Sequence, residues 1–179
     1  MTVYTNPSLP TATDAFQYSS VVLEQLGSRD PLAVLEALPV SLANEITGLS
    51  LEELRRPEAP GKWSMIEVIQ HLADAELVWA YRLRLVLSED RPVLTAYSQD
   101  EWALSLNYSE ASLDEAFDQI RIFRAANLRL LHSLSQEQLQ RVGIHEERGA
   151  ETIEHMISLY AGHDLVHRRQ LARIRNRFN

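Results

Sequence analysis

The chain has 179 residues, with 17 Lys and Arg against 25 Asp and Glu, giving a formal charge of −8. That length fits one domain with a sizeable core. A composition of 45% hydrophobic and 23% charged residues is that of a globular chain, not a disordered one. The acidic balance argues against nucleic-acid binding, which needs clustered Lys and Arg, and no apolar run nears the roughly 20 residues that span a bilayer. With no cysteine, disulfides, thiolate metal sites, iron–sulfur clusters and cysteine nucleophiles are excluded. Lys62 is the only lysine, so a Schiff-base mechanism would have to use it. The opening MTVYTNPSLPTATDAF has no export signal, and the expectation is a cytoplasmic protein.

Residues 1–13, rich in Ser, Thr and Pro, read as a loose arm before a single domain over 14–179. Ala15–Leu26 is predicted as a short extra helix closed by Gly27. Asp30 before Pro31 is an N-cap with proline at the first helical position, opening a helix to about Ile46 that stops at Gly48. Four capping boxes follow, at Ser50/Glu53, Ser64/Glu67, Ser112/Glu115 and Ser135/Gln138. The Ser64 box opens a long apolar stripe to about Leu87, and the Ser112 box another to Leu131. A last helix is predicted from about Ala150 to Arg175, and no strand-like alternation competes with these assignments. All prolines lie at or before Pro92, so the second half of the chain is free to be helical. The connection 89–111 is predicted to hold a short helix around Gln99–Leu106 and is long enough to run the length of a bundle. The fold class is therefore all-α, a four-helix bundle with one long crossover connection and a short extra N-terminal helix.

Three of the six histidines stand out. His163 and His167 are spaced i, i+4, on a stripe with Met156, Leu159, Tyr160, Val166 and Ile174. Imidazoles on a buried stripe are costly unless their nitrogens are satisfied, which one divalent ion can do for both. His71, seven residues inside the helix opened by Ser64, also lies near the core face. If the two helices run antiparallel, the histidines agree in depth to about two turns. Spacing leaves two readings open, a three-histidine metal site and three core histidines.

Gly61-Lys62-Trp63-Ser64 with Glu67 and His71-Leu72-Ala73-Asp74 resembles the signature of the DinB/YfiT-like family of metal-dependent enzymes. Ala161-Gly162-His163-Asp164-Leu165-Val166-His167, with Gln170 and Ile174, resembles that family's closing motif, and the resemblance covers about residues 30–175. It implies a four-helix bundle with one crossover. It also implies a zinc- or nickel-type ion held by His71, His163 and His167, with waters completing the shell. Relatives include thiol transferases and isomerases that use glutathione, mycothiol or bacillithiol. As the chain has no cysteine, any reacting thiol would have to be a low-molecular-weight cosubstrate.

Around these ligands, Asp74 is a candidate to orient a ligand imidazole or a solvated helix acid. Tyr160 is a candidate hydrogen-bond donor to substrate or a core residue, and Gln170 faces the site toward water or a backbone group. Glu67 is assigned to its capping box, Asp164 to the exposed surface, and Trp63 to a packing role before its helix. Gly162 is expected to allow close helix approach. His132, His145 and His155 are expected to be structural or surface residues, with His145 in a polar loop and Glu146, Glu147 and Arg148 as a solvated charge run. The carboxy-terminal arginines suit a helix C-terminus.

The functional expectation is a metal-dependent transferase of thiol type, or a hydrolase, acting on a small-molecule substrate without nucleic acid or membrane; a homodimer is compatible with such a bundle. The alternative is a non-catalytic, stress-associated binding or dimerisation module with a structural or adventitious metal. A broad apolar patch around Trp79 and Trp102 would favour that alternative, and an open cleft would favour catalysis.

Overall fold

Helix starts in this chain are written in side chains that satisfy orphan amides, and the computed structural model places them where the sequence predicts. It describes residues 12–177, with side chains from residue 17 onward, so the predicted arm lies outside the described residues except for positions 12 and 13. The helices are α1 (Ala12–Leu26), α2 (Pro31–Ile46), α3 (Leu51–Arg55), α4 (Met65–Ser88), α5 (Gln99–Ser105), α6 (Leu113–Leu131), α7 (Gln136–Leu139) and α8 (Ile153–Arg175), with a 3-10 turn at Tyr108–Glu110. Asp30 accepts from the Leu32 amide, and reciprocal capping boxes form at Ser50, Ser64 and Ser135. At Ser112 the hydroxyl accepts from the Glu115 amide.

Four long helices form the bundle: α2 packs on α6 and α8, and α4 packs on α6 and α8, while α1 lies outside against α8. Contacts fix the directions. Gln119 reaches the Ala73 carbonyl, Arg124 reaches Glu76 and Arg84 reaches Asn127, so positions rise together and α4 and α6 are parallel. The 89–111 connection therefore carries the chain back along the whole bundle, as its length predicts. Val34 and Leu35 share one core cluster with Met156 and Ile157, Leu38 and Leu42 share the other with Leu171 and Ile174, and Arg175 donates to the Glu45 carbonyl, so α2 and α8 are parallel as well.

The fold departs from the sequence reading at the start of α1, which begins at Ala12 rather than Ala15, and in one further element. Val93–Leu94 (β1), Val142–His145 (β2) and Gly149–Thr152 (β3) form a small sheet in the order β1-β2-β3, β1 parallel and β3 antiparallel to β2. The last helix consequently starts at Ile153 rather than Ala150, with Thr152 as its cap, and His145 sits in a strand rather than a loop. These strands span four residues or fewer, too short for alternation to stand out. The sheet joins the C-terminal end of α4 to the N-terminal end of α8, making those two helices antiparallel.

The core is split. Leu35, Trp79, Leu83, Val86, Leu94, Ile153 and Tyr160 cluster toward the sheet. Leu42, Met65, Ile69, Leu72, Ile120, Leu171 and Ile174 cluster toward the other end. Where the two clusters meet, α4, α6 and α8 bury polar side chains: His71, Glu76, Arg124, Asp164, His167 and Gln170.

Candidate metal centre

His71 comes from the second turn of α4, His163 and His167 from successive turns of α8, and the antiparallel packing brings all three to one level. One donor nitrogen from each lies within 4.8 Å of the others. The ring centres are 5.2 Å apart for His71 and His163, 4.7 Å for His71 and His167, and 4.5 Å for His163 and His167. His71 Nε2 and His163 Nε2 stand 3.1 Å apart. Two nitrogens each about 2.1 Å from one ion lie about 3.0–3.4 Å from each other at octahedral or tetrahedral angles, so this pair fits a shared cation. Without one, a proton on either nitrogen has to separate two facing lone pairs.

His167 Nδ1 lies 2.8 Å from Gln170 Oε1. Because that oxygen can only accept, the proton sits on Nδ1 and the Nε2 lone pair is left for an ion. His71 Nδ1 and His163 Nδ1 have no protein partner among the described residues. Burial pushes the imidazoles of His71 and His163 well below the usual histidine range and His167 down to about 4. All three are therefore neutral near pH 7, the form that binds metal. Trp63, half-buried against the lower core, packs its ring 5.1 Å from His71 and closes that side.

The remaining candidates divide. Gln170 is fully buried and touches the candidate ligand His167. Tyr160 is buried, stacks on Trp79 with ring centres 4.6 Å apart, and stands 6.1 Å from the His163 ring. Asp74 makes its hydrogen bonds elsewhere, accepting from Tyr108 at 2.5 Å and from Gln119 at 3.2 Å, and so holds the crossover rather than a ligand. Glu67 is spent on its capping box, accepting from the Ser64 amide at 2.7 Å.

Asp164, expected on the surface, is wholly buried. Its carboxylate takes Arg124 Nη1 at 2.6 Å and Nη2 at 3.2 Å, while Arg124 Nε reaches Glu76 at 2.5 Å. Adjacent positions on a helix point some 100° apart, so Asp164 faces α6 while His163 faces α4. Burial raises the Asp164 carboxyl and Arg124 pulls it back, and burial pushes Glu76 up to about 7. The Arg124 guanidinium also lies 4.9 Å from the Tyr160 ring centre.

His163 is the ligand candidate that faces a cavity of about 550 Å³ between α1, α4, α8 and the sheet. Its walls are Val22, Ala75, Val78, Trp79, Met156, Leu159 and Tyr160, and its far end is polar, with Arg82, Tyr97, His145, Glu147, Arg148 and Glu151. Here the sequence reading needs two corrections. His145 is a buried strand residue lining this cavity, pushed down to about 3 by burial and by Arg148 and Arg82. In the run expected to be solvated, Glu146 and Glu147 are exposed as expected, but Arg148 is half-buried and forks Glu151 at 2.5 and 3.0 Å. Trp79 is only 6% exposed and so is not part of an exposed apolar patch. Sequence reasoning passed over Arg82, though Ala75, Val78 and Arg82 continue the helical row of His71 at i+4, i+7 and i+11. The C-terminal arginines are spent on structure: Arg173 pairs with Glu58, and Arg175 donates to the carbonyls of Glu45 and Thr47.

Comparison with known proteins agrees with this architecture. The chain is 29% identical over 145 residues to a Bacillus cereus protein named "Putative metal-dependent hydrolase", covering 81% of this chain and 83% of that one. A Bacillus mycoides protein of the same description is 27% identical over 164 residues, covering 92% and 94%. The solved structure of YfiT from Bacillus subtilis, described as "a probable metal-dependent hydrolase with an unusual four-helix bundle topology", superposes with a TM-score of 0.79. It covers 99% of this chain and 98% of that one at 19% identity, a likeness of fold. A profile of the DinB superfamily matches residues 35–171, the stretch that carries all three histidines and the bundle that assembles them, and the chain belongs to that superfamily.

Proposed function

We propose that this protein is a metal-dependent hydrolase of a small molecule, with His71, His163 and His167 as the ligands of one divalent ion. The observation that carries this reading is the convergence of three neutral imidazoles, with His71 Nε2 and His163 Nε2 3.1 Å apart and His163 lining a cavity. Three protein donors leave coordination open, the pattern of catalytic rather than structural zinc sites. Such an ion supplies Lewis acidity and lowers the pKa of a water or thiol that it binds. The chain's own residues set the stage: Gln170 fixes the His167 tautomer, Trp63 covers His71, and the Trp79 and Tyr160 rings hold an apolar substrate beside His163. The names of the curated relatives favour hydrolysis. Transfer of a low-molecular-weight thiol would use the same ligands and is separated from hydrolysis by whether turnover of an electrophilic substrate requires added thiol. Imidazole donors suit zinc and nickel alike.

Metal content tests the site directly. Protein purified without a tag and loaded with zinc or nickel is expected to hold close to one ion per chain, and His163→Ala to lose it. Full stoichiometry and affinity in His163→Ala would overturn the three-histidine site.

A further inference from the structure

The cavity that begins at His163 ends at an arginine, Arg82, that makes no ion pair among the described residues. Arg148 is satisfied internally by its two bonds to Glu151. Arg82, half-buried on α4, donates to the Thr95 carbonyl and lies 5.9 Å from the Tyr97 ring centre, and among the described residues it forms no ion pair. Burial and the neighbouring Arg148 both pull its pKa down, and Glu151 and Glu147 only partly offset them. A guanidinium partly withdrawn from water without an ion-pair partner is a cost that an anion offsets. His145 adds a donor. Its Nδ1 accepts from the Glu147 amide at 3.2 Å, so its proton sits on Nε2 in the cavity wall.

Between Arg82 and His163 the walls are apolar, Val78, Trp79, Met156 and Leu159. We propose that Arg82, with the His145 Nε2–H nearby, is a carboxylate-binding subsite, and that the cavity takes an amphiphilic monocarboxylic acid. Its apolar body lies between Trp79 and Met156, and its reacting bond points to His163. Arg82 makes no ion pair of its own, so its guanidinium is available to one carboxylate. The assignment of the reacting end rests on the metal-centre reading; the assignment of the carboxylate to Arg82 does not.

The test uses protein stripped of metal, so that binding is read apart from turnover. Calorimetric titration compares the ω-phenyl carboxylates from phenylacetate to 5-phenylpentanoate with the primary alcohols of the same length. At least one acid is expected to bind about tenfold more tightly than its alcohol, the gain of a charge-assisted pair. Arg82→Gln is expected to bring that acid down to the alcohol's affinity while leaving the alcohol unchanged. If no acid is preferred over its alcohol, or the preference survives in Arg82→Gln, the subsite is overturned. Should Arg82→Gln fail to fold, the wild-type comparison at low and high salt decides. The preference is expected to shrink as salt rises, and one indifferent to salt overturns the proposal. Metal content, measured separately, distinguishes the two readings: one ion per chain without acid preference removes the subsite and leaves the metal centre, and the converse result does the reverse.

Discussion

His145 has no charge to offer at neutral pH, and its surroundings say why. Its Nδ1 is occupied by a backbone amide, its ring is buried, and Arg148 and Arg82 oppose a proton on it, so its pKa falls from 6.5 to about 3. Between those two values the unfolded chain binds a proton that the folded chain refuses. Stability from this residue is therefore complete above about pH 6.5 and lost progressively as pH falls toward 3. In metal-stripped protein the buried imidazoles of His71, His163 and His167 act in the same direction. His145→Gln removes one titrating group, so its urea midpoint should fall less between pH 6.5 and 4.5 than the wild-type midpoint does. Identical slopes would show that His145 is not excluded from protonation in the fold. The residue scale also explains why Asp164 misleads a reader of sequence: its neighbour His163 points to the three-histidine cluster, and nothing local reveals that the next position meets a buried Arg124.

The element that frames the cavity is α1, and it lies on α8 because Gly162 lets it. A Cβ at position 162 would stand 2.2 Å from the Val22 carbonyl oxygen, 2.7 Å from its Cγ1 and 2.9 Å from its carbonyl carbon, so backbone as well as side chain is in the way. Alanine would gain about 1 kcal/mol in helix propensity. Displacing a packed helix costs more, typically about 1–3 kcal/mol. Gly162→Ala is thus expected to lower stability despite its propensity, with α1 amides exchanging faster than those of α4. A variant that gains stability would show that α1 docks without this contact. The sheet is an element of the same kind. Gly143 brings β2 onto Leu94 and Val86, with both side chains 2.7 Å from where a Cβ would be, and Gly149 at φ +82 ends the three-residue turn.

The whole bundle is tied through one side chain. Arg124 on α6 reaches Glu76 on α4, Asp164 on α8 and the Leu35 carbonyl of α2 at 2.9 Å. That last bond has its origin in Pro39, whose missing N–H leaves the Leu35 carbonyl without its helical partner. A proline inside a buried helix is tolerated because another helix supplies the donor. Arg124→Met should cost roughly 3–5 kcal/mol, because it leaves two carboxyls and a carbonyl buried without the cation that meets them. Denaturant unfolding of the metal-stripped variant checks this, and a loss under about 1 kcal/mol would mean that the network relaxes or hydrates at little cost. No helix among the described residues is long and apolar enough to cross a membrane.

The sequence alone determined what is local: caps, stops and periodicity placed α2, α4 and α6 almost to the residue, because each signal acts within one helical turn. It also marked His71, His163 and His167, since i, i+4 spacing and a shared apolar face need no knowledge of the partner helix. The length of the 89–111 connection carried the crossover. Only the tertiary structure decided the rest. Paired strands of two to four residues draw their stability from neighbours distant in sequence, so the sheet that encloses His145 and Arg148 left too little pattern to read. The burial of Asp164, the partial burial of Arg82 and the donor that rescues Pro39 are all properties of contacts between helices, and become visible only once the bundle is assembled.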